Sequence, residues 1–209
     1  MSKNYYKTAE GLIFILYNTS SEDKVILEFK DAELEEFNRK NENEKSVSIV
    51  ALEKHKNKVF KYLVEQGIDL TIKNSAGYDL LFICTMRGNY ECAKLLLDKH
   101  DFKETISATL DYAILSISSQ DIEIIKLLIE KGGKLSEYYH DYLFNIENDH
   151  QFKYDREDLR SFYQKNISLG KEQIYVQEDI DSNILFFNNT NEPEQKKLSG
   201  ETNLLDLDN

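Results

Sequence analysis

The sequence predicts an all-α solenoid built from stacked helix–turn–helix units. Three segments share one pattern, an apolar run, a short break and a longer amphipathic run, and they recur every 32 to 33 residues. A unit of about 30 residues cannot be stable alone, because burial of about six apolar side chains does not offset the backbone entropy that ordering costs. Neighbouring units must therefore stack, and stability becomes a sum of unit and interface terms.

The clearest unit spans residues 73–102. Gly77 opens it with a turn, and an apolar first helix follows over residues 80–84. Gly88-Asn89 then breaks the pattern before a second, amphipathic helix that ends in three leucines. The spacing predicts two antiparallel helices joined by a tight turn.

Two further copies flank this unit. Before it, residues 46–51 align with its first helix, and residues 61–69 align with its second at a shift of 33. After it, residues 111–116 are the predicted first helix, and residues 121–133 the second. Two helices in a period of about 33 residues distinguish this array from other helical repeats.

The repeated unit resembles an ankyrin repeat. The matches to the family pattern are Gly77, Leu81, Gly88, Asn89, Lys94, Leu95 and Leu96. The departures are Asp79, Leu80, Phe82 and Cys84, where the family has Thr, Pro, His and Ala. Loss of the Thr and the His is expected to remove the usual hydrogen bonds of the first turn. The resemblance implies an ankyrin-repeat solenoid that binds proteins through a concave face made of first helices and projecting turns.

We expect four regions along the chain: a divergent N-terminal capping repeat (1–45), three ankyrin-like repeats (46–134), a C-terminal capping repeat (135–170) and a flexible acidic tail (171–209). The alternative for the first region is two β-strands, since residues 12–16 and 25–29 also suit β structure.

The charge of the chain limits its partners. The formal net charge is −12, and residues 171–209 contribute half of it with nine acids and three lysines. Nucleic acid and anionic membrane surfaces require basic faces, so both are excluded as partners. No apolar run reaches the length of a transmembrane helix, so membrane insertion is not expected. A basic protein partner is expected instead.

The end of the tail contains a short motif that can be interpreted in three ways. Leu204, Leu205, Asp206, Leu207 and Asp208 fit the clathrin-box pattern, in which an extended chain places leucines in a groove and an acid on a basic rim. A clathrin-type coat protein is the partner this implies. A second interpretation is an inert solubilising tail. A third is an export signal, because the terminus resembles the acidic tails of bacterial type IV effectors.

An enzymatic function is not expected. The sequence has no H-E-x-x-H, C-x-x-C, G-x-S-x-G or phosphate-binding loop motif, and it predicts no metal site and no cofactor. Cys84 and Cys92 fall at core-facing repeat positions and are expected to be reduced, buried thiols. Cys84 is disfavoured as a nucleophile, because a buried thiolate is hard to form.

The expected binding residues follow from the repeat register. They are Ile68, Asp69, Lys73, Asn74, Tyr78, Met86, Arg87, Asp101, Phe102 and Lys103. Tyr78 and Phe102 are the expected anchors, because aromatic residues dominate interface energy.

Three functions fit the sequence. The first is a cytoplasmic, monomeric adaptor that binds a protein through its concave face. The second is a bacterial effector with the same scaffold, exported into the host cytoplasm. The third is an inhibitor or immunity protein whose acidic surface covers a basic enzyme site.

Overall fold

The computed structural model describes residues 7–115, 122–145 and 156–168, all within one compact unit, Met1–Tyr175. Eleven helices are present in these ranges: α1 (Ala9–Asn18), α2 (Glu22–Phe29), α3 (Leu34–Asn38), α4 (Val47–Glu53), α5 (Asn57–Glu65), α6 (Leu80–Met86), α7 (Tyr90–Lys99), α8 (Ile106–Leu115), α9 (Ile122–Glu130), α10 (Glu137–Asn145) and α11 (Arg156–Ser168). Within these ranges, no helix has both the length and the hydropathy to cross a membrane.

The helices form two parallel rows. The inner row contains α1, α4, α6, α8 and α10, and each of these helices contacts the next. The outer row contains α2, α5, α7, α9 and α11, which also contact one another in order. A short turn joins the inner helix to the outer helix in each of the first three pairs, and α3 is an additional short helix between the first and second pairs. The predicted all-α solenoid is therefore confirmed.

Side-chain caps explain where several helices begin. An oxygen of each capping residue accepts a hydrogen bond from the backbone N–H three residues later, at Thr8, Ser21, Ser46, Asp79 and Asn89. Such caps satisfy N–H groups that have no partner within the helix. The carboxylate of Asp79 accepts from Phe82 N–H at 2.8 Å. The expected loss of the first-turn hydrogen bond is therefore wrong, because Asp79 replaces the capping Thr.

The turns between α4 and α5 and between α6 and α7 each contain a residue in the left-handed region. Gly88, between α6 and α7, has φ 63°, which glycine adopts without steric cost. His55 occupies the same place between α4 and α5 and has φ 54°. The register of the repeats is therefore kept even where the glycine is absent.

The N-terminal segment is helical, so its alternative interpretation as two strands is wrong. Residues 12–16 lie in α1 and residues 25–29 in α2. Thr8 and Ser21 cap these helices and favour them over extended structure. The backbone N–H of Ala9 also donates to the carboxylate of Glu36 at 2.8 Å.

The first helix of the third repeat begins earlier than expected. The prediction was 111–116, but α8 begins at Ile106. The carbonyl of Phe102 accepts hydrogen bonds from Thr105 N–H and Ile106 N–H, so the helix starts directly after the preceding turn. As a result Asp111 lies in the middle of a helix and cannot cap it.

The core lies between the two rows. It is continuous from Leu12 in the first helix pair to Tyr163 in the last. Cys84 and Cys92 are both buried in it and both free, as predicted.

Candidate protein-binding site

The turn before α6 is closed by the side chain of Asn74. The backbone N–H of Asn74 donates to the carbonyl of Tyr78 at 2.9 Å, and the carbonyl of Asn74 accepts from the N–H of Gly77 at 3.0 Å. The amide oxygen of Asn74 also accepts from the N–H groups of Ala76 and Tyr78, at 3.0 and 2.9 Å. Asn74 was expected to contact a partner, but in this structure its side chain holds the turn together. Lys73 is exposed beside this turn.

Asp69 is exposed and shapes its own turn. Its carboxylate accepts hydrogen bonds from the N–H and the hydroxyl of Thr71, at 2.8 and 2.7 Å. Its own N–H donates to the side chain of Asn38 at 2.9 Å. One carboxylate oxygen is therefore already engaged in the unbound protein.

Two of the expected binding residues are buried, and their predicted exposure is wrong. Ile68 is 5% exposed and Phe102 is 6% exposed, and both belong to the hydrophobic core. In each case the chain leaves an outer helix and turns the next large apolar side chain inward. The ring of Phe102 packs edge-on against His100. Phe102 therefore stabilises the fold and is not an exposed anchor.

Tyr78 belongs to an aromatic stack that joins two repeats. Its ring lies 4.2 Å from that of Phe82, and the ring of Phe82 lies 4.7 Å from that of Tyr112 (centroid to centroid). Phe82 is on α6 and Tyr112 on α8, so the stack crosses the interface between neighbouring inner helices. Such ring pairs add about 0.5–1.5 kcal/mol beyond burial. Tyr78 remains partly exposed at one end of the stack.

The C-terminal ends of the inner helices expose apolar side chains in a regular position. Tyr17 lies near the end of α1, and Met86 and Leu115 are the last residues of α6 and α8. Their exposed fractions are 49%, 38% and 47%. The ammonium group of Lys54, which follows α4, lies 4.5 Å from the ring centroid of Tyr17. We call Tyr17, Lys54, Met86, Arg87 and Leu115 the inner-end row.

The charged residues of the inner-end row are the two cations Lys54 and Arg87. Arg87 and Lys54 are exposed, and neither forms an ion pair within the described residues. Glu53, the last residue of α4, is neutralised by Lys45 at 2.6 Å. On the turn after α7, Asp101 and Lys103 pair with each other at 2.7 Å.

Of the inner-end row, Met86 and Arg87 are among the binding residues expected from the sequence, whereas Tyr17, Lys54 and Leu115 are not. The available signal was position, since each lies at or next to the last residue of an inner helix. The predicted helix 111–116 already placed Leu115 one residue before its end, but the expected binding residues were taken from the first two repeats and the turns that follow them.

The buried carboxyl group of Asp111 links the pair α8–α9 to the last pair, α10–α11. The three consecutive N–H groups of residues 134–136 donate to side-chain oxygens of Ser107, Tyr163 and Asp111, at 3.1, 2.9 and 3.1 Å. Burial raises the pKa of Asp111 to about 7, against the opposing effect of its hydrogen bonds from Ser136. Asp111 therefore holds the start of α10 against α8.

The described residues show no constellation for metal binding. No group of three or more His, Cys, Asp or Glu side chains in those ranges could hold an ion. Burial raises the pKa of the Cys84 thiol well above its ordinary value, and the hydrogen bond with Cys92 adds to this effect. A thiol with a raised pKa is a poor nucleophile. The C-terminal motif, Leu204–Asp208, lies outside the described residues.

Comparison with known proteins gives one family. The family model described as ankyrin repeats, in three copies, matches residues 17–107 and, in a second overlapping alignment, residues 48–139. Together these alignments span more than half of the chain and include α2 to α9. No curated protein matches the chain.

Proposed function

This chain belongs to the ankyrin-repeat family, and from that premise we propose that it is a non-enzymatic adaptor that binds a protein partner through its inner row. Ankyrin repeats are general protein-interaction modules, which supports binding as the class of function. The partner surface we propose consists of the inner-end row and of the turns that carry Asp69, Lys73, Tyr78, Asp101 and Lys103.

The distribution of exposed apolar side chains carries the proposal. Within the described ranges, the large exposed hydrophobic residues on inner-row helices are Phe14, Tyr17, Met86, Leu115 and Tyr138. Among the described residues of the outer row there is a single one, Leu27 on α2. Large apolar side chains normally occur singly on surfaces that face only solvent, whereas several of them lie together on binding surfaces. The asymmetry between two rows of the same solenoid therefore favours the inner row as the interface.

The remaining regions are assigned roles that accord with this surface. We assign capping roles to residues 1–45 and 135–170, since terminal units of a solenoid need a polar outer face. The tail, 171–209, is proposed to act as a spacer that carries the motif Leu204–Asp208 to a second partner, such as a clathrin-type coat protein. The adaptor is expected to act in the cytoplasm as a monomer.

Affinity capture with matched variants tests the proposal. The bait proteins are residues 1–209, residues 1–202, and the full chain with Met86→Glu and Leu115→Glu together. The control is Leu27→Glu, which introduces one glutamate on the outer row, in place of an apolar residue that is 61% exposed. Retained proteins are identified by mass spectrometry and then tested for direct binding in purified form.

The expected result is a partner that binds directly to the full chain and to the Leu27→Glu control but not to the double variant. A partner retained equally by all full-length forms contradicts binding through the inner row. Loss of a coat protein on truncation to residue 202 supports the tail motif. A basic enzyme among the partners would favour the inhibitor function, and translocation from a bacterial donor would favour the effector function.

A further inference from the structure

We propose that the inner-end row binds an extended, acidic segment of the partner that carries apolar side chains at the spacing of the repeats. This inference rests on the proposed function, because it names the class of partner for the same surface. It also differs from the expectation based on total charge, which pointed to a basic partner.

The charges of the row point to an acidic ligand. The chain carries −12 in total, half of it in the tail, but the charges of the row itself are the cations Lys54 and Arg87. Glu53, the last residue of α4 and the neighbour of Lys54 in the sequence, is already paired with Lys45 at 2.6 Å. A carboxylate of the ligand would therefore meet two cations that form no ion pair within the described residues. Complementary charge of this kind sets specificity and speeds association.

The apolar positions point to a linear segment. Tyr17, Met86 and Leu115 lie on the first, third and fourth helices of the inner row, and Lys54 follows the second. Packed helices are about 8–10 Å apart, and an extended chain advances about 3.3 Å per residue. One helix step therefore corresponds to about three residues of an extended ligand.

This geometry defines a peptide. An extended ligand of about ten residues would place apolar side chains at positions 1, 7 and 10, opposite Tyr17, Met86 and Leu115. It would place carboxylates at position 4, opposite Lys54, and at position 8, opposite Arg87. The ammonium nitrogen of Lys54 already lies 4.5 Å from the centroid of the Tyr17 ring, so this group is held in place before the ligand binds.

Fluorescence anisotropy with labelled synthetic peptides tests the inference. The probe carries leucine at positions 1, 7 and 10 and glutamate at positions 4 and 8, in a Ser/Thr background. A second peptide has lysine at the two charged positions, and a third has the residues of the probe in scrambled order. The proteins are the full chain, the Lys54→Glu/Arg87→Glu double variant, and a control with Lys61→Glu and Lys94→Glu.

The control is matched in charge and in place. Lys61 and Lys94 are exposed on the outer helices of the same two repeats that hold Lys54 and Arg87. Both double variants therefore change the net charge equally, and they differ only in the row of helices that they alter. Circular dichroism confirms that each variant is folded.

The expected result is that the acidic probe binds the full chain and the control more tightly than the basic or scrambled peptide. The Lys54→Glu/Arg87→Glu variant is expected to bind it at least about tenfold more weakly, since each charge pair contributes up to about fivefold and reversal replaces attraction with repulsion. Equal weakening by the control, a preference for the basic peptide, or binding of neither peptide would overturn the inference. The proposed function stands in each of these cases if the partner found by capture still requires Met86 and Leu115, so the two failures are distinguishable.

Discussion

Replacement of Asp111 by Asn should remove a large pH dependence from the stability of this protein. Asp111 is 4% exposed and accepts a hydrogen bond from Ser136 N–H at 3.1 Å. Asn has the same shape and retains an oxygen that can accept this bond, but it cannot ionise. The variant therefore isolates the contribution of the buried charge.

The sign and the magnitude follow from the pKa. Burial raises the pKa of Asp111 from 3.8 to about 7 in the folded state, so the folded protein binds a proton that the unfolded chain releases above pH 4. The stabilisation by this proton is fully present below pH 3.8 and is lost as the pH rises through about 7. At about 1.4 kcal/mol for each pKa unit, the loss is about 4 kcal/mol. Relative to the wild type, Asp111→Asn should become more stable by this amount between pH 4 and pH 8.

Urea unfolding at several pH values measures the effect. The informative quantity is the difference in the free energy of unfolding between wild type and variant, because it cancels the titration of all other groups. Glu104→Gln, at an exposed position, is the control for the loss of a carboxyl group. A difference for Asp111→Asn that stays constant across the range would show that the carboxyl of Asp111 ionises in the same way in the folded and unfolded states, and the account of the α8–α10 contact would be incorrect.

Three further substitutions test how the repeats are held together, each by chemical denaturation. Phe102→Ala should destabilise the fold by about 3–5 kcal/mol, because it empties a core position; a loss below 1 kcal/mol would indicate an exposed ring. Gly67→Ala should cost about 1–2 kcal/mol through backbone strain alone, since φ is +84° and no atom lies within 4 Å of the added Cβ. Asn89→Ala should cost about 1–2 kcal/mol, because it removes the cap on Cys92 N–H and the 2.7 Å bond to Asn57 of the neighbouring repeat. An unchanged midpoint for Asn89→Ala would mean that water replaces both bonds.

Periodic features were predicted well from the sequence. The turn glycines Gly77 and Gly88 have positive φ, and Ser21 caps a helix as the residues after it suggest. These features depend on a few neighbouring residues, so a single sequence contains the necessary information. The two buried cysteines were also predicted, because their burial follows from the helical period.

Features that depend on loop length were not predicted. The turn before α8 is short, and this moved the helix start to Ile106 and placed Asp111 against the next pair. Whether a side chain after an outer helix points inward depends on the path of the loop, so Ile68 and Phe102 were wrongly expected on the surface. The exposure of Leu115 was not predicted either, because an apolar residue in an apolar helix gives no sign in the sequence that it is exposed at the end of that helix.

Hydrogen exchange on a complex with the purified partner tests the central claim most directly. Binding through the inner row predicts that amides at the ends of α6 and α8, near Met86 and Leu115, become protected. Amides of the outer helices α5, α7 and α9 should keep the exchange rates of the free protein. Protection confined to the outer helices, or spread equally over both rows, would contradict the assignment of the inner row as the binding surface.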